Sequence, residues 1–541
     1  MTCPTCAQHV TKALLNVPGV LGVHLPGWES GQATVQVESG VVEEQLTEAV
    51  AAAGYHASVA ARESQPDLVA HGPSRAADFD LLVIGGGSAG FAGAIKGAEL
   101  GYKIALVNDG ILGGTCVNVG CVPSKTLIRA AEAWHRAGHQ PFEGVIAKQV
   151  SLDWNVVREQ KDALVDALRQ EKYVNVLAAY PQIAVISGRA LFRADGSVQA
   201  GERTIRARKY LIATGARPRM VPIPGAQEVG VLNSTTLMDL PTLPESLIVL
   251  GGRAVALELS QTMARFGVQV TLLQRSDRII PDHEPELAES LQEYLREEGM
   301  QIVTGARVER IALTGDRRVV RAHVNGQARA YSAQQVLMAL GREPNTAGLG
   351  LEAVNVMTDE AGAVVVDGQM RTSNPAIYAA GDVTTNPHFV YVAAAGGTIA
   401  AENALTDANR VLDLSAMPAV IFTDPQVATV GLQEAEARQM GYDVKVSILA
   451  LRYVPRALAA RDTRGFIKLV ADGSTGRLLG AHILAAEAGE VVQSAALAVR
   501  FGFTLDDITG TLFPYLTQVE GLKLAAQAFG KDVSKLSCCA G

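Results

Sequence analysis

The sequence predicts an α/β protein with two parallel-sheet domains, a third α+β domain behind them and a small α+β unit in front. Two stretches carry this prediction. Residues 80–90 and 247–258 each run from an apolar strand through glycines into a helix. A change in character near Met417 marks the third domain. The length of 541 residues agrees with three or four domains of ~150 residues each.

Composition and charge limit the classes of function. The chain is 48% hydrophobic and 19% charged, as expected of a globular protein with large cores. Its net charge of −8 provides no basic field, which argues against nucleic acid as a partner. No apolar run reaches the ~18 residues of a membrane span, and the N-terminus has no secretory pattern, so we expect a cytoplasmic protein.

The cysteines are few and paired. A secreted disulfide scaffold would be short and rich in cysteine, whereas clustered pairs in a long chain indicate redox or soft-metal chemistry. Thiolates are the ligands that soft metals prefer. For any single pair, two small apolar side chains packed in a core remain the alternative. The six cysteines form the pairs Cys3/Cys6, Cys116/Cys121 and Cys538/Cys539.

The first 60 residues read as a separate unit. Their pattern predicts a helix over 9–16, strands over 21–25 and 33–37, and a helix over 43–53. Met-Thr-Cys-x-x-Cys at the start, with Gly-Tyr after the last helix, resembles the heavy-metal-associated domain, a small ferredoxin-like module. That family has a strand before the cysteine loop, whereas this sequence starts at the motif's methionine.

The resemblance implies an incomplete heavy-metal-associated domain over residues 1–62, lacking its first strand. It implies that Cys3 and Cys6 bind a soft metal. A truncated relic without metal-binding activity is the alternative. Residues 63–78 contain proline, glycine and serine without apolar periodicity, which predicts a flexible linker.

The first glycine element predicts a dinucleotide site. The strand beginning at Asp80 ends in G-x-G-x-x-G, whose glycines allow a pyrophosphate to approach the backbone at a helix N-terminus. An acidic residue is expected ~20 residues later to bond the adenosine ribose. That position holds Asn108, followed by Asp109, and the Asn108 amide is able to bond a ribose hydroxyl.

The next helix carries the central cysteine pair. Cys116-Val-Asn-Val-Gly-Cys121 follows Gly-Gly-Thr and precedes Val-Pro-Ser-Lys125. Helical residues about four apart share a face, so both sulfurs can meet one partner. The whole motif resembles the signature of FAD-dependent pyridine nucleotide–disulfide oxidoreductases. The resemblance implies that Cys116 exchanges with substrate, that Cys121 forms a charge-transfer thiolate against the flavin, and that Lys125 lies near flavin N5.

Two further markers match that family. Ala-Thr-Gly-Ala at 213–216 and Ala-Ala-Gly-Asp at 379–382 would each indicate only a turn in isolation. Their order across ~300 residues favours a second and third FAD contact, with Asp382 on the ribityl chain. The candidate FAD-binding residues are Gly85, Gly87, Ser88, Ala89, Gly90, Asn108, Gly114, Thr115, Lys125, Thr214, Gly215 and Asp382.

The second glycine element implies a second dinucleotide. Its following strand ends in Gln274-Arg275 without an acid, and Arg278 is nearby, which favours the 2′-phosphate of NADPH over NADH. Solvated surface arginines are the alternative. By resemblance, Glu258 faces the nicotinamide and pairs with Lys125. The candidate residues here are Gly251, Arg253, Glu258, Gln274, Arg275, Arg278 and Gly341.

The region after Met417 resembles the family's dimerisation domain. Disulfide-reducing members carry a His-Pro-x-x-x-Glu segment there, whose histidine protonates the leaving thiolate of the partner subunit's site. Aligning Thr517 and Glu520 with that segment puts Tyr515 at the histidine position. A phenol with a pKa of ~10 is a poor proton shuttle at neutral pH, so we expect poor turnover of disulfides. A tyrosine merely packed at an interface is the alternative.

The chain ends in Ser-Cys538-Cys539-Ala-Gly. This tail, Tyr515 and the N-terminal Cys-x-x-Cys together resemble the mercuric-ion-reducing branch of the family, over essentially the whole chain. The resemblance implies NADPH-dependent reduction of thiolate-bound Hg(II) to Hg(0) and mercury resistance. Cys116 and Cys121 would hold Hg(II) beside FAD, with Tyr515 and Tyr173 lining its position.

The remaining implications concern partners and boundaries. Cys3 and Cys6 would receive Hg(II) from small thiols or a mercury transporter, and Cys538 and Cys539 would collect it at the partner subunit's site in a homodimer. A disulfide reductase of the lipoamide or glutathione type and a non-catalytic metal-trafficking protein are the alternatives. The expected architecture is two Rossmann-like domains and an α+β dimerisation domain: FAD segments 79–224 and 345–416, an NAD(P)H domain 225–344 and the dimerisation domain 417–541.

Overall fold

A computed structural model describes residues 4–24, 31–37, 41–60, 77–146 and 151–532. Its N-terminal unit places two antiparallel strands between two helices, around the buried Val10, Leu14 and Val50. The first helix starts at Pro4, earlier than the predicted start at residue 9, since proline is tolerated in a first turn that needs no amide donor. The elements are α1 (Pro4–Leu15), β1 (Val20–His24), β2 (Thr34–Val37) and α2 (Glu43–Ala52).

The first large domain begins with a buried strand that leads through the glycine loop into a helix, as predicted. Two helices interrupted at Gly120 carry the central cysteines. Its elements are β3 (Phe79–Ile84), α3 (Ser88–Glu99), β4 (Ile104–Asn108), α4 (Gly114–Asn118), α5 (Cys121–Gly138), α6 (Trp154–Arg169), a π-helix (Gln170–Val174), α7 (Asn175–Ala178), β5 (Ile183–Ser187), β6 (Ala190–Phe192), β7 (Val198–Ala200), β8 (Arg203–Ile205), β9 (Ala207–Ile212) and β10 (Ala216–Pro218).

The second domain repeats this plan. A four-stranded parallel sheet in the order β13-β12-β11-β17 is accompanied by a three-stranded antiparallel sheet, β14-β15-β16. The elements are α8 (Ser234–Met238), β11 (Ser246–Leu250), α9 (Ala254–Arg265), β12 (Gln269–Leu273), α10 (Pro285–Glu297), β13 (Gln301–Val303), β14 (Ala306–Thr314), β15 (Arg317–Val324), β16 (Gln327–Ala333), β17 (Gln335–Met338) and β18 (Arg342–Pro344).

The chain then returns to the first domain. A 3-10 helix (Leu351–Val354) precedes β19 (Ile377–Ala379), which completes a five-stranded parallel sheet, β19-β9-β3-β4-β5. Helix α11 (Val390–Thr406) lies so close to α3 that a Cβ at Gly397 would stand 2.0 Å from the Ala89 carbonyl oxygen. Both faces of the sheet are covered, which explains the continuous apolar run of β3.

The last domain is a five-stranded antiparallel sheet, β20-β21-β24-β23-β22, covered by helices. The predicted α/β class with an α+β C-terminal domain is therefore confirmed. No helix in the described ranges is both long and apolar enough to cross a bilayer. The elements are β20 (Ala419–Ile421), β21 (Gln426–Gly431), α12 (Glu434–Gln439), β22 (Val444–Ala450), a 3-10 helix (Leu451–Tyr453), α13 (Pro455–Ala460), β23 (Phe466–Asp472), β24 (Leu478–Ala485), α14 (Ala488–Phe501), α15 (Leu505–Gly510) and α16 (Glu520–Gln527).

Candidate active site

The glycine loop after β3 forms a cradle that side chains would fill. Gly85 has φ +110°, and a Cβ there would stand 2.4 Å from the Ala213 carbonyl oxygen. A Cβ at Gly90 would stand 1.8 Å from the Gly85 oxygen. Gly87 caps α3 without a side-chain hydrogen bond, so the amides of the first turn, from Ser88 onward, have no partner supplied by the cap. Such a helix N-terminus binds a pyrophosphate.

Asn108 holds this loop in place. Its Oδ1 accepts a hydrogen bond from the Gly86 amide at 2.9 Å, and its Nδ2 donates to the Gly110 carbonyl at 2.8 Å. Each atom keeps one further hydrogen-bonding position. The residue at the expected acidic position therefore links two turns and still offers a donor and an acceptor to a ribose.

The residues that follow β9 and β18 hydrogen-bond to each other. Thr214 Oγ1 donates to the Asn345 carbonyl at 2.8 Å, and Asn345 Nδ2 returns a bond to the Thr214 carbonyl at 2.9 Å. The Asn345 amide also donates to the carbonyl of Gly215, which has φ +66°. Gly341, just before β18, accepts from the amide of Arg219 at 3.0 Å. These bonds fix the turn that leaves the first sheet.

The two central cysteines lie where two short helices meet. Cys116 is half-buried in α4, and Cys121 is the exposed first residue of α5; both are free thiols. The break occurs at Gly120, where a Cβ would stand 2.9 Å from the Thr115 carbonyl. A helix N-terminus favours a thiolate, so the fold itself distinguishes Cys121 from Cys116.

The two thiols of this pair differ in pKa: that of Cys121 is lowered and that of Cys116 is raised. A hydrogen bond from the Cys116 thiol lowers the pKa of Cys121 to about 7, and the nearby Lys125 adds to this effect while burial opposes it. The same hydrogen bond, together with burial, raises the pKa of Cys116. As the pH rises through neutrality the thiolate of this pair therefore forms on Cys121, while Cys116 remains a thiol.

Lys125 and Glu258 form the ion pair that was predicted. Lys125 Nζ lies 2.7 Å from Glu258 Oε2, although the two residues belong to different domains. The Phe422 ring lies 4.7 Å from the same Nζ, and the Phe422 amide donates to Glu258 Oε1 at 2.9 Å. Sequence reasoning missed Phe422, because nothing in its neighbourhood along the chain marks it.

Tyr173 belongs to the π-helix after α6 and lies beside the two central cysteines. Its ring packs on Phe91 with centroids 4.7 Å apart, and its hydroxyl bonds the side chain of Ser88. Burial raises the pKa of Tyr173, and negative charge on the cysteines raises it further. Arg169 Nε donates to Asn118 Oδ1 at 2.7 Å, and this hydrogen bond links α6 to α4, the helix that carries Cys116. Single π turns often occur at functional sites.

Arg342 is a second residue that sequence reasoning missed. Its Nη2 donates to Thr115 Oγ1 at 3.2 Å and bonds the Ala216 carbonyl. Its buried Nε lies 3.7 Å from Asp382 Oδ2 and makes no hydrogen bond. Burial lowers the pKa of Arg342, which remains a cation. Its position just after Gly341 in Gly-Arg-x-Pro-Asn is the only signal that could have marked it.

Together these features fit a flavin dinucleotide. The glycine cradle accepts a diphosphate, Asp382 and Asn108 offer oxygen and amide groups to hydroxyls, and Arg342 carries an unpartnered buried donor. Within the described residues, no group of three or more His, Cys, Asp or Glu side chains is arranged to hold a metal ion. The glycine cradle, the groups that face a ribose and the buried donor of Arg342 suit FAD.

A second cradle follows β11. Gly251 has φ +119°, and a Cβ there would stand 2.4 Å from the Ala339 carbonyl. A Cβ at Gly252 would stand 3.1 Å from the buried side chain of Gln274. Arg253 stands where the G-x-G-x-x-G motif has its middle glycine. Its backbone forms the N-cap of α9, and its side chain donates a hydrogen bond to the Asp282 carboxylate.

The arginines after β12 differ in their surroundings. Arg275 is exposed, next to the buried Gln274, whose Nε2 donates to Ser276 Oγ at 3.0 Å. Arg278 donates from Nη2 to the Pro281 carbonyl at 2.9 Å, and its buried Nε has no hydrogen-bond partner. One accessible cation and one unused buried donor suit a phosphate.

The predicted C-terminal residues lie in the last domain. Tyr515 is 49% exposed, in the turn before α16. Glu520 Oε2 accepts from the amide of Leu516 at 3.2 Å, and Leu516 has φ +60°. The Glu520 carboxylate, which aligns with the glutamate of the His-Pro-x-x-x-Glu segment, therefore stabilises a backbone turn here. Cys3, Cys538 and Cys539 lie outside the described residues, as does most of the predicted linker; Cys6 lies in α1.

The comparison with protein families agrees with this geometry. Residues 79–397 match the pyridine nucleotide-disulphide oxidoreductase family, and residues 417–526 match its dimerisation domain. The chain belongs to this family. Its cofactors are a flavin and a pyridine nucleotide, and the dimerisation domain supports a homodimer.

Several relatives of this oxidoreductase are curated under one name. A mercuric reductase of Staphylococcus aureus is 45% identical over all of this chain and 98% of its own length. One of Shigella flexneri is 44% identical over all of this chain and 99% of its own length. One of Streptomyces lividans is 46% identical over 86% of this chain and 98% of its own length.

A solved structure also resembles this oxidoreductase. The Cu(II) complex of HOCl-induced flavoprotein disulfide reductase RclA from Escherichia coli has a TM-score of 0.75 and 31% identity. The match covers 83% of this chain and 99% of that chain. The fold is therefore shared with a flavoprotein.

Proposed function

We propose that this oxidoreductase transfers two electrons from NADPH to thiolate-bound Hg(II) and releases Hg(0), which protects the cell from mercury. The observation that carries the proposal is similarity, at 41–45% identity over the whole of this chain, to mercuric reductases from several bacteria. The polarised thiol pair beside Lys125, together with Tyr515 in the position of a proton donor, supports the same reading.

The pair Cys116 and Cys121 is suited to hold Hg(II). Soft ions prefer thiolate ligands, and about half of Cys121 is thiolate at pH 7 because its pKa is about 7. Metal binding releases the proton of the second thiol, so Cys116 becomes the second thiolate once the ion arrives. Tyr173, half-buried next to both sulfurs, and Tyr515 from the partner subunit would line the metal position.

The cofactor residues divide between the two cradles. When bound, FAD would supply the redox chemistry that takes hydride from NADPH and passes two electrons to Hg(II). The loop Gly85–Gly90 with Asn108, the Thr214–Gly215 turn and Asp382 would hold FAD. NADPH would be held by the second glycine loop and by the two arginines after β12, of which Arg275 is exposed and Arg278 has a buried Nε without a hydrogen-bond partner. The residues are Gly251, Arg253, Gln274, Arg275, Arg278 and Gly341. Lys125 and Glu258 would orient the edge of the flavin and the nicotinamide.

The overall balance needs no proton donor at a leaving sulfur. NADPH and Hg(II) yield NADP⁺, Hg(0) and one H⁺, and both thiolates stay with the enzyme as neutral mercury leaves. A disulfide reductase must instead protonate a leaving thiolate. Tyr515, whose phenol is a poor acid at neutral pH, is compatible with the first reaction and unsuited to the second.

The remaining cysteines would deliver the ion. Cys3 and Cys6 of the N-terminal unit would take Hg(II) from small thiols or a transporter, and Cys538 and Cys539 would pass it to Cys116 and Cys121 of the partner subunit. Because an incoming thiolate attacks before an outgoing one leaves, successive pairs transfer the ion without releasing it.

A flavoprotein disulfide reductase is the second candidate, favoured by the likeness to RclA. The two are separated by following NADPH oxidation in excess thiol after adding Hg(II) or an oxidised disulfide, while trapping mercury vapour. We expect one Hg(0) per NADPH and slow turnover of disulfide. Faster oxidation with disulfide would reject the first proposal. Cys121→Ser is the control: it should bind FAD and accept hydride, yet form no Hg(0).

A further inference from the structure

Segment 278–284, which lies between β12 and α10, packs against the second glycine loop. The Ile280 amide donates to the Gly252 carbonyl at 2.8 Å. The Asp282 carboxylate accepts a hydrogen bond from Arg253 Nη2 at 3.1 Å. The segment also begins with one of the two arginines proposed for the 2′-phosphate. Its position therefore sets both the glycine loop and a candidate phosphate contact.

The backbone of this segment is strained at Ile280. This residue has φ +35° and a buried side chain, and a β-branched residue at positive φ is an outlier among protein backbones. Such a conformation persists only where the surrounding contacts determine it. The NADPH domain supplies the bond to Gly252 and one from the His283 amide to the Ile280 carbonyl at 3.0 Å. The dimerisation domain supplies further contacts at the end of the segment.

The first of these contacts comes from Lys468 in β23. Its side chain is 1% exposed, and its Nζ lies 3.0 Å from Glu284, 3.1 Å from Glu286 and 3.0 Å from Glu434. An ammonium has three donors, so each one has a carboxylate partner. Glu284 and Glu286 stand at the start of α10 in the NADPH domain, whereas Glu434 belongs to α12. A buried cation therefore fastens the end of the segment to the dimerisation domain.

Helix α12 and the residue before it add two hydrogen bonds. Gln433 Nε2 donates to the Asp282 carbonyl at 2.8 Å, and the Glu434 amide donates to Glu284 Oε1 at 2.7 Å. Gln433 is half-buried and stands at the N-cap of α12. The last three residues of the segment are thus bound by side chains and backbone of another domain.

We infer that Lys468 and Gln433 are positioning residues for NADPH: from the dimerisation domain they hold segment 278–284, and through it Gly252 and Arg278, in the geometry that binds the dinucleotide. This inference rests on the NADPH site of the proposed function. Both side chains act through the segment, so their loss should weaken binding of the nucleotide and spare the redox chemistry.

The test measures NADP⁺ binding to the oxidised, FAD-loaded dimer by isothermal titration calorimetry. Gln433→Met removes the donor at nearly constant length and should raise Kd about threefold, and Gln433→Lys, which again offers a donor, should return Kd toward the parent value. Lys468→Met is combined with Glu284→Gln and Glu434→Gln, so that no buried carboxylate is left without its cation. This variant should raise Kd about tenfold.

A second measurement separates positioning from a general loss of structure. In stopped-flow reduction of the flavin, both variants should need more NADPH to reach half of the maximal rate. The limiting rate at saturating NADPH should stay at the parent value, because Lys125 and Glu258 are unchanged. A limiting rate that fell together with binding would indicate a general structural role and overturn the inference.

Arg464→Met is the matched control. Arg464 also joins the dimerisation domain to α10, but at the opposite end of that helix, 3.4 Å from Glu298, and it lies 2.9 Å from Asp424. Both carboxylates keep Arg265 as a partner in this variant. Its Kd for NADP⁺ should stay at the parent value. An unchanged Kd in Gln433→Met or in the combined Lys468 variant, or an equal rise in the control, would overturn the inference.

Failure of the proposed function gives a different result. The measurements contain no mercury, so an enzyme that does not reduce Hg(II) would reject the proposed function and leave the binding result standing. If the parent bound NAD⁺ and not NADP⁺, the proposed preference for NADPH would be wrong. The same variants and control, compared with NAD⁺, would then decide the role of Lys468 and Gln433.

Discussion

Replacing Cys116 with alanine tests how the thiol pair is polarised. The pKa of Cys121 is lowered to about 7, and the largest contribution comes from the hydrogen bond that the Cys116 thiol donates. Hydrogen bonds to charged groups contribute about 1.5–3 kcal/mol, which corresponds to roughly one to two pKa units. Cys116→Ala should therefore raise the pKa of Cys121 to between about 8 and 9.

The sign of the effect is fixed by the direction of the shift. A thiolate forms as the pH rises through the pKa, so a higher pKa removes thiolate at neutral pH. At pH 7 the ionised fraction of Cys121 should fall from about half to about a tenth or less. Lys125 is untouched in this variant and continues to favour the thiolate, so the pKa should not exceed that of an ordinary cysteine.

The assay is the charge-transfer absorbance of the reduced holoenzyme against pH, with Cys116→Ser beside Cys116→Ala. A serine hydroxyl also donates a hydrogen bond, so its midpoint should stay close to the parent value. If the alanine variant titrated at the parent midpoint, the hydrogen bond would not be what polarises the pair. An equal rise in both variants would point to lost packing instead.

Four other outcomes are expected. Glu258→Gln removes a negative charge that raises the pKa of Cys121, so the same titration should give a lower midpoint; a rise would contradict the placement of that charge. Arg275→Ala should raise KM for NADPH about tenfold through loss of a phosphate contact and leave KM for NADH unchanged; parallel changes would refute a 2′-phosphate role. Changing Cys538 and Cys539 to alanine should slow turnover of thiol-complexed Hg(II) at limiting concentration, with stopped-flow reduction of FAD by NADPH intact; unchanged turnover would exclude the hand-off. Deleting residues 1–78 should leave an active, FAD-bound dimer by size-exclusion and activity assay, and an inactive one would show that the N-terminal unit is required by the core.

Local patterns predicted much of this site. A strand that ends in glycines and continues as a helix has a short-range signature, and both cradles lie where that signature put them. The pairing of Lys125 with Glu258 also came from motif resemblance and is present at 2.7 Å. Tyr173 was named from resemblance alone; in the structure its ring packs on Phe91, and charge on Cys116 and Cys121 raises its pKa.

By itself, the sequence determined the class of fold and the two glycine elements and predicted the central cysteine pair, because each depends on residues close together along the chain. Only the tertiary structure decided how the site is held. Phe422 meets Lys125, and Arg342 meets Thr115, across gaps of hundreds of residues. Such contacts leave no periodicity or spacing in the sequence, since they arise when separate domains pack and bury charges that must then find partners.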